Sequence, residues 1–157
     1  MGLLYSARFE NVTISAVQDV LSLRAAGSGR GAILHMIELS AAASSSTPSE
    51  FRLNLKRLPA TVTTGSVGSA PTVNPLFSRN SVAASAVVRA NDTTQATTSG
   101  TAQNLQAWQW NVILPFQYLP APEDRPDIQA TEALILEVVA APTSIAVSGH
   151  IIFEEGP

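Results

Sequence analysis

The sequence has no cysteine and little charge. Of its 157 residues 13% are charged, about half of the roughly 25% that is typical of soluble domains. Without cysteine the chain has no disulfide, no thiolate metal site and no thiol nucleophile. A net charge of −3 with a single lysine, Lys56, argues against a nucleic-acid-binding protein, which needs clustered cations to displace counterions from phosphates.

Long apolar runs are also missing. No run reaches the roughly 18 residues that a membrane-spanning helix needs, and residues 1–5 lack the basic segment that opens a signal peptide. We therefore expect a soluble, unprocessed protein that contacts neither membranes nor nucleic acids. Composition by itself names no function.

The pattern that is present is an alternation of apolar and polar residues with a period of two, which is typical of half-buried strands. It is clearest at residues 145–154 and recurs at 51–56. Residues 108–118 place six apolar side chains, four of them aromatic, on one face, and we predict a single strand there. Further strands are predicted at residues 3–9, 12–16, 32–40, 84–90 and 132–140.

Residues 15–27 are ambiguous. Ser15 and Gln18 have the spacing of a helix capping box, but residues 20–24 alternate as a strand does. We favour a strand because the surroundings are β, and a helix stays open as the alternative. Residues 133–136 are apolar on both faces, which predicts a central strand or one that lies under a partner subunit.

These strands predict an all-β protein, a single-domain antiparallel β-sandwich over residues 1–157 that is jelly-roll-like and has long loops. Residues 59–82 form the longest predicted loop, and such a length indicates an interaction loop or an arm. Residues 120–126 are stiffened by proline and concentrate charge, so they lose little entropy on docking. We regard them as the best contact loop.

Residue patterns that carry chemistry are scarce. His35 and His150 lie far apart in the sequence, and two histidines without a third nearby ligand make a weak zinc site. The glycine-rich residues 27–31 lack the Lys-Ser/Thr ending of a P-loop. We therefore predict no catalytic residue, no cofactor and no metal site, and we expect that the protein is not an enzyme.

Two surfaces remain as candidates. The aromatic face of residues 108–118 is interpreted as core or subunit seam, with a stacking platform for sugars or bases as the alternative. The low charge and the few lysines available to protect sheet edges favour a closed symmetric oligomer. The candidate interface comprises a small basic cluster and the proline loop: Arg52, Lys56, Arg57, Pro120, Pro122, Glu123, Asp124, Arg125 and Pro126.

Five segments resemble small virion proteins encoded by tailed bacteriophages. They are Phe-Glu-Asn-Val-Thr at 9–13, Leu-Lys-Arg-Leu-Pro-Ala-Thr-Val-Thr at 55–63, Arg-Ala-Asn-Asp-Thr-Thr at 89–94, Tyr-Leu-Pro-Ala-Pro-Glu-Asp-Arg-Pro at 118–126 and Phe-Glu-Glu at 153–155. The resemblance spans nearly the whole chain. It implies a virion structural protein, and for this chain length a capsid decoration, or cement, protein: a small β-rich module, commonly trimeric, on the outside of the head.

The resemblance also implies partners and a location. The chain would be made in the bacterial host cytoplasm, bind the major capsid protein on the capsid exterior, associate with itself as a homotrimer, and stabilise the shell through multivalent contacts. Residues 59–82 and 120–126 would carry those contacts. The alternatives are a receptor- or glycan-binding module on the tail or head surface, and a connector protein of the tail or portal.

Overall fold

The computed structural model describes residues 2–27, 29–41, 50–140 and 144–156. Within these residues the chain forms thirteen strands and one 3₁₀ helix, Pro122–Asp124. The strands are β1 (Leu3–Ile14), β2 (Gln18–Arg24), β3 (Ala32–Ala41), β4 (Glu50–Leu58), β5 (Val62–Thr63), β6 (Val73–Pro75), β7 (Val87–Asp92), β8 (Thr97–Thr98), β9 (Gln103–Asn111), β10 (Phe116–Tyr118), β11 (Asp127–Ile128), β12 (Ala133–Ala140) and β13 (Ile145–Glu155).

The strands form two packed antiparallel sheets and a small ribbon. Sheet A has the order β10-β3-β13-β1-β6, with β11 also pairing with β3; sheet B has the order β7-β2-β12-β4-β9; β5 pairs with β8. Eight of the strands form a jelly roll: β1, β2, β3, β4, β9, β10, β12 and β13. If these eight are numbered one to eight in chain order, sheet A has the order one-eight-three-six and sheet B the order two-seven-four-five, which are the orders of a jelly roll. The predicted sandwich is confirmed.

The main core lies between the two sheets, where the inward residues of alternating strands meet. A second, smaller cluster lies on the outer face of sheet B and joins Ala133 and Ile135 of β12 to Leu58, Val62 and Ala96. This second cluster explains why residues 133–136 are apolar on both faces. β12 is the central strand of its sheet, and the chain's own β5–β8 region covers its outer face.

Residues 15–27 contain a strand, β2, as we favoured. The spacing of Ser15 and Gln18 stabilises a turn here and not a helix start. The Gln18 side-chain oxygen accepts hydrogen bonds from the backbone N–H groups of Ser15, at 3.2 Å, and of Ala16, at 3.4 Å. A side chain that caps local N–H groups stabilises a turn as readily as a helix start.

Two predicted strand boundaries are wrong. The strands predicted at residues 3–9 and 12–16 are one strand, β1, which ends at Ile14 and whose register shifts between Phe9 and Val12 in a bulge. The strand predicted at residues 84–90 begins only at Val87. Its first part is diverted because the buried Glu155 carboxylate accepts hydrogen bonds from the N–H groups of Ser85, at 3.1 Å, and Ala86.

Residues 59–82, predicted to be an interaction loop or an arm, contact the chain's own strands at several points. Ser66 and Ser69 exchange backbone hydrogen bonds with Thr94 and with Ala90 of β7, and β6 pairs with the edge of β1. Most of this loop therefore serves the chain's own sheets. Its exposed large apolar side chains are Val67, between the two serines, and Leu76, Phe77 and Val82 in its last part.

Residues 108–118 are not a single strand. β9 ends at Asn111 in sheet B, and β10 begins at Phe116 in sheet A. The strand ends because Asn111 caps a turn: its side-chain oxygen accepts from the N–H of Ile113 at 3.1 Å and its carbonyl from the N–H of Leu114 at 3.0 Å. Leu114, on the face interpreted as core or subunit seam, is 64% exposed.

Candidate interaction surface

One side of the sandwich combines an open strand edge with exposed apolar residues. β9 is the edge of sheet B and β10 the edge of sheet A, and the turn at residues 112–115 connects them. Residues 119–126 follow β10 on the same side. We name β9, this apolar turn and residues 119–126 together the edge surface.

β9 pairs with β4 on one side, and within the described residues no strand pairs with its other side. It is nine residues long, which corresponds to about 30 Å at roughly 3.3 Å per residue. Its sequence, Gln-Asn-Leu-Gln-Ala-Trp-Gln-Trp-Asn, carries no charge. Edge strands are usually protected by lysine, proline, a bulge or a covering segment; of these, β9 has within the described residues only a register shift at Leu105, so most of its edge is open.

The apolar turn is held firmly while its side chains stay in solvent. The Trp110 indole N–H donates to the Leu114 carbonyl at 2.7 Å, and Val112 is buried beneath the turn. Ile113 and Leu114 are 54% and 64% exposed. A rigid apolar group loses little conformational entropy when a partner covers it, so the turn is suited to protein contact.

The aromatic residues behind the edge pack against one another. The Trp108 ring lies 5.2 Å from the Phe116 ring and 5.1 Å from the Tyr118 ring, centroid to centroid. Trp110 packs on Phe51 and is only 3% exposed. This cluster closes the sandwich between β9 and β10. The interpretation as core is therefore confirmed for Trp110, Phe116 and Tyr118, while Trp108 packs against this core and is partly buried.

A recess of about 250 Å³ lies beside the first half of β9. Burial, together with the nearby Asp124 carboxylate, raises the pKa of the Tyr118 hydroxyl that lines it. Within the described residues the Arg125 Nε is buried and has no hydrogen-bond partner. The lining residues are Arg57, Leu105, Gln106, Tyr118, Glu123, Asp124, Arg125 and Pro126.

The proline loop is only partly available to a partner. Pro120 and Pro126 are buried in the protein itself, and the Pro126 carbonyl accepts from the N–H of Leu34 at 2.9 Å. Pro122, Glu123 and Asp124 are exposed. The exposed part of the predicted contact loop is therefore its 3₁₀ helix, which lies between the two buried prolines.

The predicted basic cluster does not form a patch. Lys56 lies on the outer face of sheet B, where its ammonium is 2.8 Å from the Glu137 carboxylate and its side chain is only 13% exposed. Arg57 instead binds the Asp127 carboxylate at 3.1 Å and borders the recess. Arg52 is exposed on the outer face. Lys56 and Arg57, adjacent in β4, therefore lie on two different surfaces.

The two histidines lie on adjacent strands, and each contacts a glutamate. His35 Nε2 is 3.0 Å from the Glu154 carboxylate, and His150 Nδ1 is 3.6 Å from that of Glu38. Within the described residues no group of three or more potential metal ligands occurs. In the same part of the chain no helix is long and apolar enough to cross a membrane.

Comparison with known proteins finds no matching family model, no matching curated protein and no matching solved structure. The edge surface is therefore interpreted from its own geometry. Sequence reasoning missed the exposure of Ile113, Leu114 and Leu119. A signal was available: Asn111 and Pro115 are both turn residues, and they lie within the segment that was predicted as a single strand.

Proposed function

We propose that this chain is a capsid decoration protein of a tailed bacteriophage, which binds the outside of the head and stabilises the shell through many weak contacts. The observation that supports this best is the edge surface, where an uncharged open strand, a rigid apolar turn and an exposed 3₁₀ helix lie on one side of a sandwich. Such a surface favours occlusion by protein neighbours.

The fold is compatible with this role but does not select it. Jelly rolls occur in viral capsid proteins, in lectins and in cupins, and a fold alone does not define a function. The assignment to a virion rests on the sequence resemblance, with the major capsid protein and further copies of the chain as partners. The homotrimer that the resemblance implies stays a prediction.

The mechanism would be mechanical. A rigid module that contacts several capsid subunits at once turns individually weak contacts into stable attachment, because each further contact forms at high effective concentration. In this proposal Ile113 and Leu114 supply apolar contact between neighbouring copies, so that each assembly holds the shell at more points, and Glu123 and Asp124 supply polar contact at the rim.

Counting copies per virion tests the proposal directly. Quantitative mass spectrometry of purified particles from the phage that encodes the chain would give its ratio to the major capsid protein. A copy number comparable to that of the capsid protein supports decoration. A number equal to one small ring indicates a connector or tail protein, and absence from the particle rejects a virion role altogether.

A binding assay tests which surface is used. The double variant Ile113→Ser, Leu114→Ser is added to particles that lack the protein, and occupancy is compared with that of the unchanged chain. We expect reduced occupancy. Val67→Ser is the matched control, because Val67 is 75% exposed but lies away from the edge surface. Equal occupancy for all three proteins would remove the apolar turn from the contact.

A further inference from the structure

The two edges of sheet B differ in a way that limits how the sheet can grow. At β7, Ser69 pairs with Ala90 through both of its backbone groups, at 2.9 Å each, so the chain itself covers the middle of this edge at Ala90. At β9 the edge is open within the described residues. A continuous added strand is therefore hindered at Ala90 of β7 but not by any segment at β9 within the described residues.

A second copy of the chain satisfies this restriction. Two sheets joined at their β9 edges, with five strands from each copy, would have covered β7 edges at both ends. Such a contact is closed by a two-fold axis and does not propagate into a fibre. An added strand forms main-chain hydrogen bonds along the edge, which is a general mode of protein recognition.

The chemistry of β9 allows it to pair with itself. Like charges that face each other across two strands are destabilising, and β9 has none. Its exposed side chains are Gln103, Asn104, Gln106, Ala107, Gln109 and Asn111, which are amides apart from one alanine. Amide side chains both donate and accept hydrogen bonds, so identical strands remain compatible.

The surfaces at the two ends of β9 are complementary under the same symmetry. The apolar turn with Ile113 and Leu114 follows the end of β9, and the recess lies near its start, beside Leu105 and Gln106. Antiparallel pairing about a two-fold axis brings the end of one strand beside the start of the other. The turn of each copy therefore lies toward the recess of its partner.

We propose that two copies of this chain associate through antiparallel pairing of their β9 strands, with the apolar turn of each copy packed at the recess of the other. The inference rests on the proposed function in that it names the partner of the edge surface as a second copy. If a homotrimer also forms, it needs a different contact, and β9 pairing then links two trimers into an assembly of six.

Sedimentation velocity of the purified full-length chain over a dilution series tests the pairing. We expect a dimer, or an assembly of six copies, for the unchanged chain. Ala107→Lys places like charges near the two-fold axis and should weaken association by at least about tenfold. Val87→Lys is the matched control, because it adds the same charge to the exposed end of the covered edge strand and should leave association unchanged.

A charge-complementation experiment distinguishes self-pairing from a general loss of solubility or folding. Equimolar Ala107→Lys and Ala107→Glu chains, each dissociated alone, should associate again when mixed. Circular dichroism spectra identical to that of the unchanged chain would show that both variants are folded.

Three outcomes would overturn the inference: a monomer at all concentrations, a dimer that Ala107→Lys does not weaken, or a trimer without any assembly of six. A monomer whose β9 amides become protected from hydrogen exchange only on the particle would assign the edge to another protein. That result rejects self-pairing and leaves the decoration role intact. A chain that dimerises through β9 but is absent from virions would support self-pairing and reject the decoration role.

Discussion

The strands β7 and β9 are the two edges of sheet B, and they differ in charge and in whether another segment of the chain covers them. β7 carries Arg89 and Asp92 and is covered by the segment around Gly68. β9 carries no charge and has no covering segment within the described residues. An edge that the chain covers with its own backbone serves the fold, whereas an edge left open and uncharged is available to another chain.

The covered edge depends most on one carboxylate. Asp92 is 1% exposed and accepts hydrogen bonds from the Arg89 guanidinium, at 2.8 and 2.6 Å, and from the N–H of Gly68, at 3.1 Å. Asp92→Ala leaves both donors unpaired and should lower the free energy of unfolding by about 3 kcal/mol. Denaturant titration measures this loss of unfolding free energy, with Asp124→Ala, at an exposed carboxylate, as the control. A loss below about 1 kcal/mol would contradict the importance of this anchor.

Gly68 allows the covering segment to approach β7 closely. A Cβ at this position would lie 2.3 Å from the Ala90 carbonyl and 2.5 Å from an Asp92 carboxylate oxygen. Gly68→Ala should therefore cost about 2 kcal/mol and lift the segment from the edge. The N–H of Ala90, which donates to Ser69, should then exchange hydrogen faster.

Gly27→Ala is the control for this substitution, because a Cβ there meets no atom within 4 Å. Equal unfolding free energies for the two alanine variants would show that the close approach at Gly68 is not needed.

The covered side of sheet B should also respond to pH. Burial raises the pKa of Asp19 above its ordinary value of 3.8, although the N–H of Ala96 donates to its carboxylate at 2.7 Å. A raised pKa means that the folded state holds this proton more tightly than the unfolded state does. The stability that Asp19 contributes is therefore complete below about pH 3.8 and declines as pH rises through the folded pKa.

The comparison variant for this effect is Asp19→Asn, which keeps an acceptor for Ala96 but does not titrate. The free energy of unfolding of the unchanged chain, minus that of Asp19→Asn, should fall between pH 3.8 and neutrality. Urea titrations at several pH values measure this difference. A difference that rises with pH would contradict the raised pKa.

The smallest effect is expected at the open edge. Leu114 is 64% exposed, so Leu114→Ser should change the unfolding free energy of a single copy by less than about 0.5 kcal/mol. Val112, two positions earlier, is 3% exposed, and Val112→Ser should cost about 2 kcal/mol. Thermal unfolding of dilute protein compares the two. Similar losses would mean that the turn belongs to the fold rather than to an interface.

The fold could be predicted where a single face of a strand decides its position. Residues 145–154 and 51–56 alternate cleanly, and both became strands, β13 and β4. The candidate interface was harder to predict. Lys56 and Arg57 are neighbours in one strand and therefore face opposite sides of the sheet, where Lys56 meets Glu137 and Arg57 meets Asp127.

The sequence by itself determined that this protein is an antiparallel β-sandwich with a weakly charged exterior, because alternation and composition are local properties of the chain. Only the tertiary structure decided which edge is covered. The segment around Gly68 returns to β7 through contacts between residues distant in sequence, and the turn after Asn111 moves the chain from one sheet to the other. Such contacts depend on where the strands lie in space, which no local pattern of residues specifies.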